Sequence, residues 1–141
     1  MPVDNSLNFN QNRETMKPVK RLIIATLGGL LFGIVCYTMA SMGPEDLPYP
    51  VAAQIISSRI LMGFAIGLSR FDFGHWAIHG IVLGTLFSLP LAYSGLMAPE
   101  NPDFTPIMMF VSTMVMGAIY GLLIEVITSA IFRAKAIPKK A

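Results

Sequence analysis

Charge and cysteine are scarce in this sequence. Only 13% of its 141 residues are charged, whereas 54% are hydrophobic. A soluble domain of this length buries roughly two thirds of the surface of its unfolded chain, and its core is too small to hide so much apolar surface. The single cysteine, Cys36, excludes an intrachain disulfide and any metal site built from several cysteines. The composition therefore predicts a membrane protein.

Sequence signatures of catalysis and nucleotide binding are also absent. The chain contains no GxSxG, HExxH, CxxC or Walker motif, and no glycine pattern of a dinucleotide-binding fold. Nothing in the sequence supports nucleic-acid binding. We therefore expect a protein that is not an enzyme, holds no cofactor and has no nucleic-acid partner.

Long apolar segments dominate what is present. A helix needs about 20 apolar residues to cross a bilayer. The connectors between these segments are short and rich in glycine and proline, which end helices. The pattern predicts an all-α integral membrane protein, a four-helix transmembrane bundle built from two tandem helical hairpins. The four predicted spans cover residues 22–42, 51–69, 74–97 and 107–132.

The two halves of the chain resemble each other. Gly43-Pro44-Glu45-Asp46 is echoed by Ala98-Pro99-Glu100-Asn101, and Met62-Gly63 recurs as Met116-Gly117. Such matches indicate an internal repeat of about 54 residues. The predicted segments are a polar, disordered amino-terminal segment, a first and a second two-span repeat, and a basic tail. They cover residues 1–20, 21–73, 74–133 and 134–141.

The distribution of basic residues predicts the orientation. Lysine and arginine are retained in cytoplasmic segments next to the spans. They occur in the amino-terminal segment, the middle loop and the tail, whereas the other two loops are acidic. We expect both termini in the cytoplasm, in the cytoplasmic membrane of a prokaryote. The basic residues of these three segments are Arg13, Lys17, Lys20, Arg21, Arg70, Arg133, Lys135, Lys139 and Lys140.

Each predicted span contains one GxxxG motif. Glycines four residues apart lie on one face of a helix and let a second backbone approach closely. We expect them to pack the helices; the alternatives are a subunit interface or the wall of a narrow permeation path. We expect the protein to lie in a lipid bilayer and to form either a homo-oligomer or a complex with another membrane protein. The glycines are Gly29, Gly33, Gly63, Gly67, Gly80, Gly84, Gly117 and Gly121.

Two charged residues extend these glycine faces at the same spacing of four, so they should point into the bundle. Arg59 precedes Gly63, and Glu125 follows Gly121. We expect the long side chain of Arg59 to reach the external head groups or the acidic loops; the alternative is a fixed charge that attracts an anion. Glu125 is expected to be hydrogen-bonded to a neighbour, or alternatively to carry a proton during transport.

Two histidines lie one helical turn apart at the start of the third span. His75 and His79 are expected to be interfacial or hydrogen-bonded, and Trp76 beside them is typical of a membrane interface. Imidazoles at positions i and i+4 can also ligate one metal ion, with Glu125 as a third ligand, or a haem.

Three functions remain open from the sequence. The favoured one is a structural or accessory protein that acts by helix packing, because packing signals outnumber reactive groups. The second is a small ion or solute transporter or channel subunit with Glu125 and Arg59 facing the interior. The third is a metal- or haem-binding membrane protein that uses His75 and His79.

Overall fold

The computed structural model describes residues 5–43, 47–69, 75–97 and 105–132, with side chains from residue 18 onward. Within these ranges there are four α-helices: α1 covers Asn5–Ala40, α2 Tyr49–Leu68, α3 Trp76–Leu96 and α4 Pro106–Glu125. A π-helix over Val126–Ile131 continues α4. No strand occurs within the described residues. The prediction of an all-α protein is confirmed.

Each of the four helices is long and apolar enough to cross a membrane. The candidate spans are Pro18–Ala40, Tyr49–Leu68, Trp76–Leu96 and Pro106–Ile131. These bounds differ from the predicted ones by a few residues. In the most apolar 18-residue stretch of each span only 17% to 33% of the residues are buried inside the chain, and many large apolar side chains are exposed. Exposing so much apolar surface to water is unfavourable for an isolated protein, whereas the hydrocarbon core of a bilayer can cover it.

The amino-terminal segment differs from the prediction. Residues 5–20 were predicted to be disordered, but they form the first part of α1. Once a helix is nucleated, each added residue gains a hydrogen bond, so a long apolar helix can extend into polar sequence. The acidic loops, the middle loop with Arg70, residue 74 and the basic tail lie outside the described residues.

The described helix starts follow local sequence signals. Proline is favoured in the first turn of a helix, where its missing amide donor is not needed. α2 begins with Tyr49-Pro50, and α4 begins at Pro106. The Thr105 hydroxyl caps α4 by accepting a hydrogen bond from the Met108 amide, at 3.3 Å. These signals set where each helix begins, but they do not determine how the helices pair.

Glycines bring the helices together in pairs, α1 with α2 and α3 with α4. A Cβ added at Gly29 would collide with the carbonyl oxygen of Arg59 and lie 3.1 Å from the Cα of Gly63. In the second pair, a Cβ at Gly84 would collide with the Gly117 carbonyl and lie 2.8 Å from the Cα of Gly121. Backbone contact at this distance needs residues without a side chain. The chain therefore consists of two closely packed hairpins.

A small apolar core lies where the two hairpins meet. Its members come from all four helices and are at most 9% exposed. Phe32, Cys36, Phe87 and Met116 pack around it. The core residues are Ala25, Met62, Ile66, Leu83, Tyr120 and Ile124.

Candidate functional site

Two buried groups of polar side chains join the hairpins. The first, called here the Glu125 group, contains Arg21, Ser69, His79, Glu125 and Ser129. It lies near the start of the α1 and α3 spans and the end of α2 and α4, so all four helices meet there. The second, called the Arg59 group, contains Arg59, Ser88 and Tyr120.

In the Glu125 group, the carboxylate receives donors from two other helices and from its own. The Arg21 guanidinium donates from Nη2 to both oxygens of Glu125, at 2.9 and 3.0 Å. His79 Nδ1 lies 3.2 Å from Oε2, and the Ser129 hydroxyl donates to Oε1 at 2.5 Å. Arg21 is 4% exposed and Glu125 is 2% exposed. This is a buried ion pair between α1 and α4.

The same group is tied to α2 as well. Arg21 Nη2 donates to the carbonyl oxygen of Ile66 at 3.3 Å, and Nη1 donates to the Ser129 hydroxyl at 3.1 Å. His79 Nε2 lies 2.9 Å from the hydroxyl of Ser69, directly after α2. Several hydrogen bonds therefore satisfy each charge, which a buried ion pair needs if it is to offset its desolvation.

The π-helix begins directly after Glu125. Its wider turn is shown by the bond from the Phe132 amide to the carbonyl of Ile127, five residues earlier, at 3.0 Å. Within it, Thr128 and Ser129 are at most 3% exposed, so their hydroxyls point into the bundle. Single-turn π-helices are frequent at functional sites. Here the π-helix follows the residue that binds Arg21.

The Arg59 group is built differently, because its arginine has no carboxylate partner among the described residues. Arg59 is 1% exposed, and its Nη1 donates to the Ser88 hydroxyl at 2.7 Å. That hydroxyl donates in turn to the carbonyl oxygen of Gly84 at 2.8 Å. The guanidinium carbon lies 5.2 Å from the centroid of the Tyr120 ring, a cation–π contact. Within the described part of the chain, the buried Nε of Arg59 has no acceptor.

Both charged residues predicted to face inward do so, but they belong to different groups. Glu125 binds Arg21, whereas Arg59 binds Ser88. The expectation that Arg59 reaches the head groups is wrong, since the residue is 1% exposed and bonds within the bundle. The physical reason is the glycine face of α1: a Cβ at Gly33 would lie 3.3 Å from the Cβ of Arg59. α1 therefore covers the arginine stem.

The two histidines do not converge on one site. His75 is exposed and caps α3, where its Nδ1 accepts a hydrogen bond from the Ala77 amide at 3.3 Å. His79 is 4% exposed and bonds to Glu125 and Ser69 instead. Among the described residues, no three histidine, cysteine or acidic side chains form a cluster that could hold a metal ion. The structure gives the proposed ligand set of His75, His79 and Glu125 no shared centre.

The eight predicted glycines lie in contacts within the chain. Gly63 and Gly67 face α1, and Gly80 and Gly121 face each other's backbone. These glycine surfaces are therefore occupied by the neighbouring helix of the same hairpin.

Sequence reasoning missed Arg21 and Ser88. Arg21 was read only as a cytoplasmic positive charge, yet it is 4% exposed, and Ser88 is fully buried. The signal was present in the spacing of four that located Arg59 and Glu125. Extending each glycine face by further steps of four reaches these two residues. The extended series are Arg21, Ala25, Gly29, Gly33 in α1 and Gly80, Gly84, Ser88, Ala92 in α3.

No protein-family model, curated protein or solved structure matches this chain. The geometry of the two polar groups therefore carries the functional argument.

Proposed function

We propose that the protein is embedded in the cytoplasmic membrane of a prokaryote as four spans, with both termini in the cytoplasm. The outward-facing apolar residues of the helices support the membrane environment. The lysines and arginines of the terminal segments and middle loop support the orientation. In this orientation the Glu125 group lies in the cytoplasmic half of the membrane.

Single cysteines introduced into a Cys36→Ser background test this topology. Asp46→Cys and Asn101→Cys should react with a membrane-impermeant maleimide in intact cells, because their loops are external. Lys135→Cys in the tail should react only after the cells are opened. Labelling of residue 46 or 101 solely in opened cells would reverse the orientation.

We further propose that the protein is a small ion or solute transporter or channel subunit, whose path follows the contact between the two hairpins. One observation carries this proposal: glycine packing joins the helices within each hairpin, whereas buried polar groups join the hairpins to each other. Arg21 of α1 binds Glu125 of α4, and Arg59 of α2 binds Ser88 of α3. Polar contact between two tightly packed repeats is typical of membrane proteins that move solutes.

Packing alone does not require this arrangement. A charged side chain at the centre of a membrane helix, where Arg59 lies in the α2 span, is unfavourable by about 2.5 to 3.5 kcal/mol on insertion scales. The glycine contacts already hold each hairpin without charges. The protein nevertheless buries two arginines and a glutamate at the contact between the hairpins. Proteins that retain such residues generally use them on a substrate or ion pathway.

Reconstituted protein in liposomes tests transport directly. We expect wild-type protein to increase the flux of at least one small ion from a panel under an imposed gradient. Arg59→Met should reduce this flux at least about tenfold, because a buried charge that contacts a permeating ion contributes more than 1.4 kcal/mol. Lys20→Met is the matched control, since Lys20 is an exposed cation and should leave the flux unchanged.

The proposal fails if wild-type protein moves no ion across the panel while remaining folded. Equal flux in wild-type and Arg59→Met liposomes would place the path elsewhere than along the contact between the hairpins.

A second candidate is a structural or accessory membrane protein without transport activity. The Glu125 group favours it, because both carboxylate oxygens are occupied by donors from the chain itself. Such interhelical hydrogen bonds stabilise helix bundles in lipid. Folded protein that moves nothing, but is recovered from the membrane with a constant protein partner, would favour this function.

A further inference from the structure

The Arg59 group carries one positive charge that none of the described residues neutralises. Among the described residues, the buried charged side chains are Arg21, Arg59 and Glu125. Arg21 and Glu125 form an ion pair at 2.9 Å, and His79 also contacts Glu125. Within the described part of the chain, Arg59, which is 1% exposed, forms no such pair. The described residues therefore leave one positive charge in excess inside the bundle.

The hydrogen-bonding groups around Arg59 are incompletely used. Its Nη1 donates to Ser88, but its buried Nε–H has no acceptor in the described part of the chain. Among the described residues, the Tyr120 hydroxyl, on the ring that the guanidinium contacts, donates only to the thioether sulfur of Met39, at 3.8 Å. Sulfur is a weak acceptor. Two donors, one of them charged, are therefore available to an acceptor that the described part of the chain does not supply.

We propose that Arg59 and Tyr120 form a binding site for a small monovalent anion. This inference deepens the transport proposal and rests on it for the identity of the solute, although binding can be measured without transport. An anion would accept the unused Nε–H and neutralise the buried charge. Anionic acceptors form stronger hydrogen bonds with arginine than neutral ones do.

The surroundings of Arg59 select the class of anion. A single unpaired positive charge neutralises one negative charge, so sulfate or a phosphate dianion would leave an uncompensated charge in the bundle. Apart from the Ser88 hydroxyl, apolar side chains adjoin the group: Phe32 stacks on Tyr120 with ring centroids 5.2 Å apart, and Met62 is fully buried in the adjoining core. Such a site favours anions that lose their hydration shell easily, such as bromide, nitrate or thiocyanate.

The second buried arginine supplies an internal comparison. Arg21 is also nearly inaccessible, but it donates to both oxygens of Glu125 and to Ser129. Its charge is neutralised within the chain. We therefore expect the anion at Arg59 and not at Arg21, although the two residues have the same chemistry.

Anion binding to purified full-length protein in detergent micelles tests the site. Isothermal titration with the sodium salts of bromide, nitrate, thiocyanate and sulfate, at constant ionic strength, gives Kd for each. We expect the three monovalent anions to bind at least about tenfold more tightly than sulfate. Arg59→Met should weaken their binding by at least about tenfold, as expected for loss of one charge-assisted hydrogen bond. Lys20→Met should change Kd less than about twofold.

A second measurement covers the case in which Arg59→Met does not fold. Arg59→Lys keeps the charge but lacks the Nε donor, and Tyr120→Phe removes only the hydroxyl; each should weaken nitrate binding. Thermal unfolding adds a further check, because sulfate generally stabilises proteins. A rise in Tm with nitrate that exceeds the rise with sulfate, and that Arg59→Lys reduces, would indicate specific binding.

The outcomes separate this inference from the transport proposal. Anion binding that depends on Arg59, without flux, supports the site and overturns transport. Flux that is independent of Arg59, with no monovalent-anion binding, overturns the site and leaves transport in place. Binding that is equal for sulfate and nitrate, or unchanged in every Arg59 and Tyr120 variant, overturns the inference.

Discussion

Replacing Glu125 with Gln is expected to destabilise the protein by about 3 kcal/mol, because it leaves the Arg21 guanidinium buried without a counter-charge. Arg21 is 4% exposed and donates to both carboxylate oxygens at 2.9 and 3.0 Å. Gln keeps the shape of the side chain but removes the charge and one acceptor oxygen. The free energy of unfolding, measured by titrating mixed micelles with dodecyl sulfate, should fall accordingly.

The double variant Arg21→Met, Glu125→Gln separates loss of the pair from loss of one partner. Removing both charges leaves no unpaired ion, so we expect the double variant to be more stable than Glu125→Gln alone. Lys20→Met, next to Arg21 but exposed, controls for the loss of one positive charge. If Glu125→Gln unfolds like the wild type, the ion pair between α1 and α4 does not contribute to stability.

The substitution Gly29→Ala is expected to have a second large effect. The new Cβ would collide with the carbonyl oxygen of Arg59 and lie 3.1 Å from the Cα of Gly63. Backbone atoms cannot rotate away, so α1 and α2 would have to separate. Overpacking of this kind destabilises proteins by about 1 to 3 kcal/mol or more. The same unfolding titration should show the loss.

The neighbouring residue provides a closely matched control. A Cβ at Gly28 would meet only the side chain of Ile124, at 3.6 Å, which is an ordinary contact. Gly28→Ala is expected to be neutral or to stabilise α1 by up to about 1 kcal/mol, since alanine favours helices. Similar losses in Gly28→Ala and Gly29→Ala would show that the glycines serve helix flexibility and not close packing.

These predictions follow from the different locations of the glycine contacts and the polar contacts. Glycines shorten the distance between helices within each hairpin, where no charged side chain is needed. Polar side chains then connect the hairpins at two levels. On α4, Tyr120 of the Arg59 group and Glu125 of the Glu125 group are five residues apart, about 7.5 Å along the helix. Ile124 and the other core residues pack around them.

Features that depend on a regular spacing of residues along one helix could be predicted from the sequence. Apolar segments of about 20 residues predicted the four helices, and the spacing of four predicted that Arg59 and Glu125 face inward. The same spacing includes Arg21 and Ser88, but neither was identified. Arg21 stands at the end of a basic segment, where topology alone explains a positive charge, and serine is too common in membrane helices to be singled out.

The pairing of side chains could not be read from the sequence. Arg21 and Glu125 are 104 residues apart, and Arg59 and Ser88 are 29 apart. Periodicity gives the face of a helix on which each residue lies, but not the neighbour that this face meets. The interpretation of His75 and His79 as joint ligands is not supported for this reason: one caps α3 at its exposed start, and the other turns toward Glu125.

By itself, the sequence determined the number of helices, their apolar character and the faces that turn inward, because these depend on composition and on spacing along one helix. Only the tertiary structure decided which buried charge is neutralised. That outcome depends on distances of about 3 Å between side chains of different helices, and such distances arise only when the helices pack. Arg21 meets a carboxylate and Arg59 meets a hydroxyl and an aromatic ring. Two arginines that each extend a glycine face at a spacing of four are thereby placed in different electrostatic surroundings.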